Sequence, residues 1–374
     1  MSENIGLQGL EAQVLNRDLC TLCGACSGLC PYLRPWQGRM AKLHDCDLKQ
    51  GRCFAYCPRT AVDLNGVHQA VFGRGYEDLT MGPVGRVLMA RSKDRKVRRR
   101  AQTGGAVSAL MDVALREGFI QAAVVTQRDR GHLPKGRIAR SPEEILTCAG
   151  SSYVAGPTLE AFNRGPWDGV ARIGLVGIPC QVLAVGKMRA ANLERHTPID
   201  RISLVVGLFC TWALTYEPFL SFIKARVNGA PIRKMDITPP PERILKVSTK
   251  GGVLDIPLDD IRPFIRPTCS VCLDMTSELS DLSVGTVEGM EGWNTVMVRT
   301  GTGEAVLAKA EAMGAIETRP LPDENLAHLK EASLLKKRRA LSALRERGEL
   351  ESGYIALSQE MVRRILANDA EVNS

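Results

Sequence analysis

Cys20-Thr-Leu-Cys23-Gly-Ala-Cys26-Ser-Gly-Leu-Cys30-Pro31 spaces four cysteines as C-x2-C-x2-C-x3-C-P, and that spacing leaves few structures open to the chain. Three thiolates two residues apart can curl around one cube of iron and sulfide, because small residues such as Gly24 and Ala25 let the loop tighten. In two-cluster proteins with this run, the cysteine before proline leaves the loop and ligates the other cluster. A zinc ion is the rival occupant, but zinc usually takes two separated C-x2-C pairs.

The following segment, Cys46-Asp-Leu-Lys-Gln-Gly-Arg-Cys53-Phe-Ala-Tyr-Cys57-Pro58, ends as the run does but opens with six residues between Cys46 and Cys53. Seven cysteines therefore stand where two four-iron cubes need eight ligands. One cluster has a non-cysteine ligand, with His44, Asp45 and Asp47 nearest, or it lacks an iron, or only one cluster forms. By the cross-over rule Cys20, Cys23, Cys26 and Cys57 hold one cluster, and Cys30, Cys46 and Cys53 the other. Residues 1–65 are read as a small ferredoxin-like two-cluster domain.

At 374 residues the chain calls for two or three domains. With 44% hydrophobic and 24% charged residues it has the material for packed cores. The first eighteen residues are polar and mixed in charge, which is not a secretory pattern. The longest apolar stretch, Ile202 to Phe209, is far short of the ~20 residues that cross a bilayer. The expectation is a soluble, cytoplasmic protein, and in a reducing compartment twelve cysteines are metal or redox ligands more often than disulfides. The net charge of +8 is diffuse except for the run Arg91 to Arg100. That run lacks the interleaved aromatic residues of a nucleic-acid surface and is read as a solvated basic loop. The other reading is that it attracts an anionic cofactor or an acidic partner.

Beyond a glycine-rich loop the texture becomes α/β. Val107, Leu110, Met111, Ala114 and Leu115 fall on one helical face between Gly104 and Gly118, followed by a buried strand from Phe119 to Thr126. Further strands are expected at 172–177, 201–210, 281–285 and 293–300, a hairpin at 243–257, and helices at 181–189 and 215–227. The body divides at residues 84–170 and 171–336, and a helical C-terminal tail, 337–374, frays after Ala367. Thr103-Gly104-Gly105 precedes the first of these helices, a placement that suits a phosphate but is weak alone.

Cys180 and Cys210 follow strands, and Cys269-Ser-Val-Cys272 is a C-x2-C loop. A fold can bring these four together, as a cluster, as a zinc site or as plain core cysteines. Cys148 has no companion and is read as a thiol without a role.

In order along the chain, several segments resemble the beta-subunit family of coenzyme F420 hydrogenases and dehydrogenases. They are Thr103-Gly-Gly-Ala-Val-Ser-Ala-Leu110, Gly177-Ile-Pro-Cys-Gln181, Gly207-Leu-Phe-Cys210, Pro267-Thr-Cys-Ser-Val-Cys-Leu-Asp274, Glu278-Leu-Ser-Asp-Leu-Ser-Val-Gly285 and Gly292-Trp-Asn-Thr295. The resemblance spans roughly residues 84–336, with the ferredoxin block in front as in longer members. It implies an FAD in the α/β body and a 4Fe-4S cluster on Cys180, Cys210, Cys269 and Cys272. The flavin would lie against Thr103, Gly104, Gly105 and Ser108, the turn Ser151-Ser152-Tyr153, and the loop carrying Gly292, Asn294 and Thr295. Archaeal members often place a lysine in the turn that here reads Gly150-Ser-Ser-Tyr153, so the chain departs from the family pattern there.

The function so implied is an iron–sulfur flavoprotein subunit. It passes electrons between a soluble hydride carrier, coenzyme F420 or NAD(P)H, and a redox partner subunit of hydrogenase, formate dehydrogenase or heterodisulfide-reductase type. Two or three 4Fe-4S clusters would carry them. The alternatives are a non-catalytic adaptor between two larger redox enzymes and a reductase of a small organic acceptor. No general acid or base is assigned, since the five histidines stand apart in the sequence.

Overall fold

The computed structural model describes residues 5–129, 132–191, 193, 197–238, 242–351 and 354–366. Its centre is an eight-stranded mixed sheet. The strand order is Ile316–Pro320, Arg86–Ser92, Asn294–Val298, Leu282–Thr286, Ile202–Leu208, Ile173–Gly177, Ala122–Arg128 and Pro134–Ala139. The four strands Leu282–Thr286, Ile202–Leu208, Ile173–Gly177 and Ala122–Arg128 run parallel to one another, and the flanking strands are antiparallel. Because side chains alternate across a strand, Ala122 and Val124 face one layer while Ala123 and Val125 face the other. The runs are apolar on both sides because both faces are covered.

One face carries the helices Ala106–Arg116 and Gly301–Ala312. Leu110, Met111 and Ala114 of the expected amphipathic helix are buried there, while Val107 and Leu115 are half-buried at its edge. The opposite face carries the helices Thr158–Arg164 and Pro179–Ala190, and onto them the cysteine-rich N-terminal block. Leu10, Leu22, Leu33 and Tyr56 of that block share one continuous core with Leu159, Phe162, Val182 and Leu341. The strand Ile355–Ala356 pairs with Val62–Asp63, and the helix Gln359–Leu366 packs beside the long helix Asp323–Glu346, so the C-terminal segments clasp the block from behind. That long helix runs unbroken through residues 336 and 337. A separate core joins the helix Tyr216–Arg226 to a three-stranded antiparallel sheet, Ile232–Ile237, Ile244–Thr249 and Gly252–Pro257.

The strands and helices expected from periodicity are present, most with ends moved by one to three residues. The basic run is corrected in part: Lys93, Arg95, Lys96, Arg99 and Arg100 are exposed as expected, but the run is not a loop. Arg91 and Ser92 finish a strand, and Arg95–Arg100 is a helix capped by the Asp94 side chain, which accepts from the Lys96 N–H at 2.7 Å. Arg91 is half-buried and tied down: its Nε donates to Glu317 at 2.8 Å and its guanidinium stacks on Trp293, 4.4 Å from the ring centre. The signal missed was the strand itself, Arg86-Val-Leu-Met-Ala-Arg-Ser92, whose charged ends hide a buried middle. Residues after 366 lie outside the described residues, so the expected fraying of the tail does too.

Candidate functional site

The thiols of the N-terminal block collect in two groups. Gly24 sits at φ +88°, and a Cβ there would come within 2.7 Å of the Pro157 carbonyl and the Glu160 N–H. Only glycine lets the cysteine loop lie this close to the Thr158–Arg164 helix. From that helix Asn163 Nδ2 donates to the carbonyls of Ala25 and Ser27, at 3.0 and 2.6 Å. The loop thus presents Cys20, Cys23 and Cys26 together, and the turn after the helix Arg52–Ala55 adds Cys57. Burial raises the Cys26 thiol, and the sulfurs acting on it are Cys20, Cys23, Cys57 and Cys53. Burial pushes Cys53 up to about 11, with Cys30, Cys46 and Cys57 as the sulfurs around it.

His44, Asp45 and Asp47 are all exposed. Lys42 holds the Asp45 carboxylate at 2.8 Å, and the His44 ring meets Tyr32 edge-on at 5.9 Å. None of the three is among the main influences on Cys53.

The body cysteines form a third group. Cys180 lies in the first turn of the helix Pro179–Ala190, Cys210 just past the strand Ile202–Leu208, and Cys269 within the 3-10 turn Pro267–Val271 that Cys272 ends. All four line one small cavity, together with Thr21, Arg59, Trp212, Arg266 and Lys336. Burial pushes the Cys180 thiol up to about 12, with Arg59 opposing and Cys272 and Cys269 adding to it. Cys272 is also buried, but Lys336 and Arg59 outweigh that and hold it below its usual value. The third group borders the first: after burial, Cys180 is the largest influence raising Cys23, and the Thr21 hydroxyl lowers both thiols slightly. Among the described residues no three His, Cys, Asp or Glu side chains converge tightly enough for a single metal ion. Cys148 stands apart, beside Thr147, its thiol raised by burial.

The cations around these sulfurs bear on what they can hold. Lys187 Nζ donates to the Cys57 carbonyl at 2.7 Å, Lys336 Nζ to the Cys210 carbonyl at 2.6 Å, Arg266 to the Cys20 carbonyl at 2.7 Å, and Arg59 to the Pro58 carbonyl at 3.1 Å. All four are at least nine-tenths buried, and among the described residues none makes an ion pair with a carboxylate. Lys337, the neighbour of Lys336, is by contrast paired with Glu278 and bonds to the Tyr76 hydroxyl. Buried charge without a counter-charge is costly by several kcal/mol per ion. Thiolate-bound iron–sulfur cores supply that counter-charge, since four thiolates outweigh the positive charge of the core. The donor set and its surroundings therefore fit such clusters. Nothing in the spacing of residues singles out these four cations, since their role depends on burial in the assembled fold.

The residues expected at a flavin converge as well. Asn294 is the hub: its Oδ1 accepts from the Ala106 N–H at 3.1 Å, and its Nδ2 donates to Thr103 Oγ1 at 2.6 Å and to the Gly285 carbonyl at 3.0 Å. It thereby caps the Ala106–Arg116 helix, whose own N-cap, Gly105, has no side chain to do so. A Cβ on Gly104 would meet Asn294 Oδ1 at 2.8 Å and the Gly292 carbonyl at 3.0 Å. Ser151 bonds to Gln102, next to Thr103, and the Tyr153 hydroxyl accepts from the Ile237 N–H at 2.6 Å. Ser152 donates to the Val154 carbonyl and Thr295 to the Thr286 carbonyl, both at 3.2 Å, and Ser108 is half-buried in the first turn of the helix. No helix among the described residues is long and apolar enough to cross a membrane.

Comparison with known proteins gives matches over the same regions. Residues 87–163 match the model of the coenzyme F420 hydrogenase/dehydrogenase beta subunit N-terminus, and residues 170–324 that of its C-terminus. The coenzyme F420 hydrogenase beta subunit of Methanosarcina barkeri is 33% identical over 66% of this chain and 86% of its own length. The coenzyme F420-dependent sulfite reductase of Methanocaldococcus jannaschii is 25% identical over 91% of this chain and 53% of its own. A chain from the F420-reducing nickel–iron hydrogenase complex of Methanosarcina barkeri superposes with a TM-score of 0.67 at 32% identity, over 72% of this chain and 94% of that one.

Proposed function

The chain belongs to the coenzyme F420 hydrogenase/dehydrogenase beta-subunit family, and from that premise we propose that it is an oxidoreductase subunit linking a soluble hydride carrier to a redox partner protein. The carrier is coenzyme F420 or NAD(P)H. FAD, bound between Thr103–Gly105, Ser151–Tyr153 and Gly292–Thr295, would exchange a hydride as an electron pair, and 4Fe-4S clusters would pass electrons singly.

The chain's own residues have separable tasks in this reading. Asn294 fixes the helix start and the loop opposite it, so that the two walls of the flavin site keep their spacing. Cys180, Cys210, Cys269 and Cys272 hold the cluster of the body. Cys20, Cys23, Cys26 and Cys57 hold the next, reached across Thr21, where Cys180 borders Cys23. Cys30, Cys46 and Cys53 form the outermost set, on the exposed side of the block. With Asp45 taken by Lys42, Asp47 and His44 are the protein candidates for its remaining corner. Arg59, Lys187, Arg266 and Lys336 counter the charge of the inner sets. The observation that carries the reading is that these four buried cations lie at cysteine-bearing turns with no carboxylate partner among the described residues.

The test is an anaerobic visible spectrum of the protein titrated with reduced coenzyme F420, NADH and NADPH. Bleaching of flavin and cluster bands by one donor supports the reading and names the carrier. Flavin that dithionite reduces but no carrier does turns the assignment to an electron-transfer adaptor. A protein that takes up neither iron nor flavin under reconstitution refutes it.

A further inference from the structure

Arg266 has a side chain that bridges the cysteine block and the body cavity with a donor left over. Its two terminal nitrogens donate to the Gly38 carbonyl at 2.9 Å and the Cys20 carbonyl at 2.7 Å, both in the N-terminal block. Its backbone N–H is fixed to the Ala213 carbonyl at 2.9 Å, in the body. The side chain is nine-tenths buried and lines the cavity of Cys180, Cys210, Cys269 and Cys272. Its Nε–H is buried with no partner. A buried donor left unsatisfied costs free energy, and a guanidinium donor more than a neutral one. The other polar atoms of the side chain are satisfied, so the unpaired Nε–H points to an acceptor that occupies the cavity. Thr268, two residues on, makes the same crossing with a neutral group, donating to the Leu19 carbonyl at 2.6 Å.

We propose that Arg266 donates its Nε–H to the cluster held by the body cysteines while its terminal nitrogens hold the Cys20 turn, so that one guanidinium sets the reduction potentials of two adjacent clusters. This rests on the clusters of the proposed function. A cluster gains one negative charge on reduction, and a cation bonded to it favours the reduced form. Since the same cation faces both sites, its removal lowers both potentials, and it partly screens the charge of one from the other. Arg266 is a positioning residue: it ligates no metal and exchanges no electron.

The experiment is a redox titration of the reconstituted full chain followed by electron paramagnetic resonance, with signals assigned through Cys210→Ser and Cys20→Ser. Arg266→Gln is expected to shift each reduction equilibrium about tenfold towards the oxidised form, which is about 59 mV per electron, with iron and sulfide content unchanged. Arg266→Lys keeps the charge but not the Nε donor, and its body cluster should titrate between the two. Tyr354→Phe removes a neutral hydrogen bond to the Val271 carbonyl in the same cysteine turn and should leave both potentials in place. Unmoved potentials in a fully loaded Arg266→Gln make Arg266 a plain tether and overturn the proposal. If Arg266→Gln does not load, wild-type potentials in Arg266→Lys overturn the Nε bond. Equal shifts in Tyr354→Phe also overturn it, since loosening alone would then explain them. A wild-type chain without clusters instead overturns the proposed function, a separate outcome.

Discussion

Lys336→Met separates a structural lysine from a counter-charge. The side chain is 3% exposed, its ammonium donates to the Cys210 carbonyl at 2.6 Å, and no carboxylate among the described residues pairs with it. Burial alone would drive the ammonium towards its neutral form; negative charge on Cys272 and Cys210 holds its pKa above the ordinary lysine value. In the iron-free protein thiols raised by burial, such as Cys210, are protonated at neutral pH, so much of that support is lost and Asp274 and Cys272 supply what remains. Exchanging a buried, unpaired cation for an apolar side chain of similar length is then neutral or stabilising, offset by the Cys210 carbonyl losing its donor. The iron-free variant should stay within about 1 kcal/mol of wild type in urea unfolding. With a cluster bound the sign reverses. For a separation taken as about 6 Å and an effective dielectric constant of about 20, one added electron would interact with the ammonium by about 3 kcal/mol. Loss of the lysine therefore lowers the body cluster's potential by about 60–120 mV, the lower figure allowing for stronger screening. Redox titration of the loaded variant reads the shift directly. An iron-free variant destabilised by several kcal/mol, with a loaded potential equal to wild type, would refute the counter-charge argument.

Other expectations follow from single contacts. Asn294→Ala removes three hydrogen bonds and leaves the Ala106 N–H unsatisfied, so it should cost about 2–4 kcal/mol and weaken FAD binding in a fluorescence titration. Flavin affinity equal to wild type would reduce Asn294 to a helix cap. Asp47→Ala and His44→Ala should each leave the iron count unchanged unless that residue fills the eighth position, whereas Cys46→Ser should lower it. Cys148→Ser should not alter iron or flavin content. His68, buried against Tyr76 with Nδ1 unpartnered, has its pKa lowered to about 4 by burial and by Lys337 and Arg299. Its contribution is whole above the unfolded value of about 6.5 and fades as pH falls towards 4, about 3 kcal/mol in all. His68→Leu should flatten that limb of a stability–pH curve.

How much of this was legible beforehand follows from what leaves a trace in spacing. Cysteine runs do, because ligands to one cluster must come from loops of fixed reach. The alternation that marks a two-faced strand does as well, so Ile173–Gly177 and Ile202–Leu208 were placed within a residue or two. The strand Arg86–Ser92 was not, since Arg86 and Arg91 reach ion-pair partners at Glu304 and Glu317, more than two hundred residues away. The same holds at the site. Lys187 looks like one more charge on a helix, and only the packing of the cysteine block against that helix buries it beside Cys57. Burial without a carboxylate partner is a property of the assembled fold. It is also the feature of these side chains that bears most directly on what the cysteines hold, because a lysine or arginine kept for solubility has no reason to be driven inside and aimed at the carbonyl of a cysteine turn.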